Sequence, residues 1–151
     1  MSDQVVLITG ALTGIGRAAA VIFAKQGAQV MVSGRRDKEG QELVAELRAL
    51  GAEAEFVRAD VRVEEDVRNL INQTVKRFGR LDIAVNNAAT EGPRGLVTEQ
   101  TAESYAATFD TNVLGVLLSM KHELRVMTPH GSGSIVNISS AYGKIGARNT
   151  G

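Results

Sequence analysis

The sequence predicts an α/β protein built on a doubly wound parallel sheet. Three observations lead there. Short apolar runs rich in β-branched residues alternate with helical runs that stop on glycine. The first of these runs meets the first helix across a glycine-rich turn. A polar cluster follows each of the five strand-like runs, and in parallel α/β sheets ligands sit at the carboxyl ends of the strands.

The elements follow in order. Val5-Val6-Leu7-Ile8 holds three β-branched residues in four, which suits a strand buried on both faces. Thr9-Gly10-Ala11-Leu12-Thr13-Gly14-Ile15-Gly16 comes next. Its glycines allow φ > 0 and let a ligand approach the backbone. The helix over residues 17–25 turns free N–H groups and its positive dipole end toward that turn, where a pyrophosphate fits. The spacing G-x-x-x-G-x-G differs from G-x-G-x-x-G, and by itself it also describes a tight strand-to-helix turn with no ligand. Gly27 stops the helix.

Residues 29–33 read as the second strand, turning at Gly34-Arg35-Arg36-Asp37. Asp37 is expected to cap a helix that runs to about Leu50, with Leu43, Leu47 and Leu50 on one face. A third strand over 54–58 closes on Ala59-Asp60-Val61. Residues 64–78 carry Val67, Leu70, Ile71, Val75 and Phe78 at helical spacing, and Gly79 ends that helix. Leu81-Asp82-Ile83-Ala84-Val85 is the fourth strand, followed by Asn86-Asn87-Ala88-Ala89. Residues 90–99 form a loop around Gly92-Pro93 and Gly95. A short helix over 101–107 precedes a long one from Phe109 to about Met127. The long helix is apolar nearly all round, so burial on more than one side is expected. Residues 134–138 are the fifth strand, ending in Ser139-Ser140, and 141–151 read as loop.

Composition narrows the class. At 151 residues, 44% hydrophobic and 23% charged, the chain suits one core and one domain. Seventeen basic and seventeen acidic residues cancel, so no footprint for nucleic acid or an anionic membrane follows. Cysteine is absent and the histidines are His122 and His130, which argues against disulfides and against a metal site. No signal peptide or membrane-spanning run is visible, and a soluble cytoplasmic protein is the expectation.

With these residues in view, the chain resembles the short-chain dehydrogenase/reductase family over its whole length. The resemblance rests on T-G-x-x-x-G-I-G at Thr9 to Gly16, Asp60-Val61, Asn86-Asn87-Ala88, T-N-V-x-G at Thr111 to Gly115, and I-V-N-I-S-S at Ile135 to Ser140. It implies a Rossmann-type sheet of order 3-2-1-4-5. It also implies a nicotinamide cofactor, hydride transfer to or from a small carbonyl or secondary alcohol, and a homotetramer or dimer. Carried over, Gly10, Thr13, Gly14, Ile15 and Gly16 form the pyrophosphate turn. Asp60 bonds the adenine amino group, with a backbone contact from Val61. Asn86 and Ala88 line the cofactor and steady the sheet. Asn112 holds, through its backbone, the water that ends a proton relay, and Ser140 rather than Ser139 polarises the substrate oxygen. Taken singly, Asp60 reads equally as a turn residue and Asn112 as a partner for a nearby carbonyl.

Two departures stand out. The family's N-N-A-G is Asn86-Asn87-Ala88-Ala89 here, tolerable where Ala89 has φ < 0. The family's Y-x-x-x-K pair lies about a dozen residues past the serine, which falls just beyond Gly151. Tyr142 and Lys144 are two apart and cannot share a helix face, so they read as loop. The expectation is the N-terminal part of a longer enzyme, inactive as 1–151 alone. A nucleotide-binding sensor of the same fold is the alternative, and the presence of Ser140 weighs against it.

Cofactor choice turns on the end of the second strand. An acidic residue there would bond both ribose hydroxyls of NAD. The position is Gly34, with Arg35 and Arg36 next, and arginine makes bidentate contacts to phosphate. Thr13, where NADP-preferring relatives often carry a basic residue, leans the other way. NADP(H) is expected with Arg35 as main contact and Arg36 secondary, NAD remaining possible.

Overall fold

The computed structural model describes residues 3–93 and 95–141. The expected loop reading of Tyr142 and Lys144 lies outside the described residues. Five parallel strands form one sheet: β1 (Val5–Ile8), β2 (Gln29–Gly34), β3 (Ala54–Arg58), β4 (Ile83–Asn86) and β5 (Ser134–Asn137). Their spatial order is β3-β2-β1-β4-β5, as expected. The order reverses direction between β1 and β4, so the crevice above those two strands is the topological switch point where α/β sheets take ligands.

Helices cover both faces: α1 (Gly14–Lys25), α2 (Asp37–Ala49), α3 (Glu64–Phe78), α4 (Ala102–Phe109) and α5 (Gly115–Met127). One layer packs Val6, Ile8, Val30 and Val32 of the sheet against Ala20 and Ala24 of α1 and Leu43, Val44 and Leu47 of α2. The other packs Leu7, Met31 and Ala84 against Leu70 and Ile71 of α3 and Met127 of α5. Alternate residues of β1 thus serve opposite layers, as strand geometry requires.

Several element details differ from expectation. α1 starts at Gly14 rather than Arg17, because Thr13 is extended at φ −147° and takes the N-cap position. Asp37 is the first residue of α2, not its cap; Arg36 holds that place without a side-chain bond. Asp37 still sits in the first turn, beside the positive end of the dipole. β4 begins at Ile83, two residues late: the Asp82 carboxylate accepts from the backbone N–H of Val5 at 2.9 Å.

The largest difference lies in the long helix. It is interrupted by a π turn over Asp110–Leu114, where the Gly115 N–H donates to the Asp110 carbonyl five residues back. One side of it is also open. Val113, Leu117 and Leu124 are exposed, as are Tyr105 and Phe109 of α4, so burial on more than one side is not what the described residues show. α3 and β4 cover the opposite side of α5, where Asn137 of β5 also reaches Met120, and nothing among the described residues covers this one. No helix among the described residues is long and apolar enough to cross a membrane.

Candidate functional site

A cleft of about 810 Å³ opens at the carboxyl ends of β1, β2, β3 and β4. The turn after β1 forms its floor. Gly10 has φ +61°, a left-handed conformation that favours glycine. A Cβ there would stand 2.7 Å from Ala88 Cα, so the backbones after β1 and β4 touch. At Gly16 a Cβ would meet the Gly10 carbonyl oxygen and Asn87 Nδ2, each at 2.5 Å. Gly16 is buried and lies outside the cleft lining; its part is to let α1 press against the turn.

Thr9 and Asn87 lock this junction. The Thr9 hydroxyl accepts from the backbone N–H groups of Asn87 (3.1 Å) and Ala88 (3.2 Å). Asn87 Nδ2 donates back to the carbonyls of Thr9 (3.2 Å) and Gly10 (2.9 Å). Asn87 carried no role in the sequence reading, although its place between Asn86 and Ala88 flagged it. Only the packing of two strand ends reveals what its amide bonds.

Gly10, Thr13, Gly14, Ile15, Arg35, Arg36, Asp60, Val61 and Ala88 all line the cleft. Gly14 has φ +54° with open space where a Cβ would project. Among the described non-glycine residues only Asp3 has positive φ, so alanine at position 89 is unstrained. Asp60 sits at the mouth in a basic setting. Arg62 grips its carboxylate through Nε (2.9 and 3.1 Å) and Nη2 (2.5 Å), and Arg35 Nη1 lies 4.0 Å away. The Arg62 hydrogen bond holds the Asp60 carboxyl below its usual range, against the opposing effect of burial. Arg36 pairs with Glu39 at 3.0 Å. Arg62 is a further cleft residue that the sequence reading passed over.

At Gly34 the backbone is not left-handed, yet a Cβ would fall 2.6 Å from Leu12 Cδ1 and 2.7 Å from Leu12 Cγ. The Leu12 side chain occupies the space beside the end of β2.

Asn86, expected to line the cofactor and steady the sheet, is not among the residues that line the cleft. Its side chain turns from the cleft toward α5, donating to Glu123 Oε2 (3.1 Å) and Asn137 Oδ1 (2.9 Å). The physical reason is strand alternation: Asn87 faces the cleft and Asn86 the helix layer. Asn112 lies in the π turn, and its amide clasps Thr90, accepting from the N–H (2.9 Å) and donating to the C=O (2.8 Å). π turns disturb the backbone ladder and recur at functional sites. Ser139 and Ser140 follow β5, exposed and outside the cleft lining.

The cleft fits an extended dinucleotide. The glycine turn and the α1 N-terminus offer backbone donors to a pyrophosphate, and the close approaches at Gly10 and Gly16 hold that turn against Ala88 and Asn87.

Comparison with known proteins agrees. A family model described as short chain dehydrogenase matches residues 4–151. Xanthoxin dehydrogenase of Arabidopsis thaliana is 43% identical over 146 residues, covering 95% of this chain and 51% of that protein. The structure of actinorhodin polyketide ketoreductase with NADPH superposes with a TM-score of 0.93 at 36% identity, covering 97% of this chain and 57% of that one. NAD+-bound xylitol dehydrogenase gives 0.95 at 30% identity, with 99% and 57% covered. The chain thus spans about half the length of the relatives it matches.

Proposed function

The chain belongs to the short-chain dehydrogenase family, and from that membership we propose that it is the cofactor-binding part of an NAD(P)-dependent oxidoreductase acting on a small carbonyl or secondary alcohol. The observation that carries this reading is the glycine junction, where Gly10 and Ala88 are in backbone contact beneath a cleft of dinucleotide size. When bound, the nicotinamide cofactor supplies or accepts the hydride.

The chain's own residues bind and orient. Backbone N–H groups at Thr13, Gly14 and Ile15 face the pyrophosphate path, and Gly16 keeps α1 close. Asp60 and Val61 hold the adenine end, with Arg62 keeping Asp60 ionised. Ser140 donates to the substrate oxygen and polarises it. The disturbed backbone around Asn112 holds a water for proton exchange. A homodimer or homotetramer is proposed for the full-length protein.

NADP(H) is the proposed cofactor. No carboxylate stands at the end of β2, and Leu12 crowds the space one would need. Arg35 lines the cleft beside that corner, two-thirds exposed and only loosely paired with Asp60 at 4.0 Å, so that its guanidinium can meet a 2′-phosphate. Fluorescence titration of the full-length protein with NADPH and NADH tests this. Tighter NADPH binding is expected. Equal or tighter NADH binding refutes the choice of cofactor, and failure to bind either refutes the function.

A further inference from the structure

A carboxylic acid is sealed inside the molecule on the side away from the cofactor cleft. Glu123 of α5 is 0% exposed, and among the described residues no cation accompanies it. On α5 itself, Lys121 and His122 both turn to Glu64 of α3, and Arg125 turns to Asn72. β4 and β5 present only the amides of Asn86 and Asn137. An ionised carboxylate in such a place has nothing to offset its desolvation.

The hydrogen bonds point the same way. Asn86 Nδ2 donates to Glu123 Oε2, but two oxygens of this pair, Asn86 Oδ1 and Glu123 Oε1, are buried without a partner. Both are acceptors when Glu123 is charged, so neither can serve the other. One proton on the carboxyl changes that, because a protonated glutamate gains an O–H donor.

We propose that Glu123 is carried neutral inside the fold and donates its proton to Asn86 Oδ1, so that acid and amide form a doubly bonded pair. Asn86 also donates to Asn137, its partner in the β4–β5 ladder. The pair therefore braces the ends of both strands against α5. β4 continues directly into Asn87 and Ala88, the wall of the cleft, and β5 into Ser139 and Ser140. Glu123 is in this sense a positioning residue. Burial supports the assignment by pushing its carboxyl up to about 7, with the Asn86 bond opposing.

The sign of the pH effect follows. The carboxyl is raised in the fold, so its contribution to stability is complete below the ordinary glutamate range. It falls as pH rises toward 7 and is level above that. Glu123→Gln carries a donor and an acceptor at every pH and replaces the pair permanently.

The test uses the full-length protein with E123Q and E123A. Urea unfolding from pH 4.5 to 8.5 is expected to show wild-type stability falling toward pH 7, E123Q free of that fall, and E123A weaker throughout. Cofactor affinity from pH 6 to 8.5 is expected to weaken in wild type relative to E123Q as the acid ionises. A wild-type slope retained in E123Q overturns the neutral acid. Superimposed affinity profiles overturn the positioning role. Neither result bears on which cofactor binds.

Discussion

The two sides of the sheet differ in how far they are finished. On the β1–β2–β3 side every residue of β1 is buried, two helices close one layer, and the glycine junction is locked by Thr9 and Asn87. On the β5 side, among the described residues, the outer strand pairs only with β4, three of its four residues are exposed, and an apolar face of α4 and α5 lies open. The β1–β2–β3 half is thus closed by its own elements. On the β5 half, apolar surface is left open among the described residues.

The largest effect that would break this contrast concerns the chain alone. An uncovered edge strand beside an apolar helix face invites pairing with other copies. Residues 1–151 are therefore expected to self-associate in sedimentation velocity; a monomer that melts cooperatively would show the β5 side to be as finished as the other. Next comes the finished side itself. Gly10→Ala forces a left-handed alanine into the Ala88 backbone and is expected to cost about 2–4 kcal/mol in urea unfolding of the full-length protein. A loss below about 1 kcal/mol, the scale of an ordinary surface change, would mean the junction is loose.

Smaller effects sharpen the division of labour. Ser140→Ala should lower kcat by about two orders of magnitude, the scale of one oxyanion-type donor, with cofactor affinity little changed. If Ser139→Ala is the damaging change instead, the register after β5 is off by one. Arg35→Ala should weaken NADPH by about 1.5–3 kcal/mol, as for a charged hydrogen bond, and spare NADH. Equal losses for the two cofactors would show that Arg35 does not read the phosphate. Arg36→Ala should change either affinity by less than about 1 kcal/mol, since its exposed guanidinium already pairs with Glu39.

Much of this was legible in the chain. The boundaries of β1, β3 and α3 follow from local patterns, because β-branched runs and 3.6-residue spacing are properties of short segments, whereas the strand order follows from the alternation together with the family resemblance. Of the expected cleft residues from Gly10 to Val61, all but Gly16 line one cleft. Asn86 was harder. Its neighbour Asn87 has the same side chain, and only the pleat decides which of the two faces the cleft and which the helix.

What the sequence determined by itself is the set of local decisions: which segments are strands, where glycine permits a turn, and which polar clusters end up at the sheet's carboxyl edge. The tertiary structure alone decided matters that join distant segments. It set Leu12 against Gly34, the π turn beside Thr90, and Glu123 beneath Asn86. The physical reason is that these depend on burial and on partners as far as 37 residues apart, as for Asn86 and Glu123. The side chain of a buried acid looks the same in the sequence as that of a solvated one; only removal from water, with no cation near, turns it into a neutral hydrogen-bond donor.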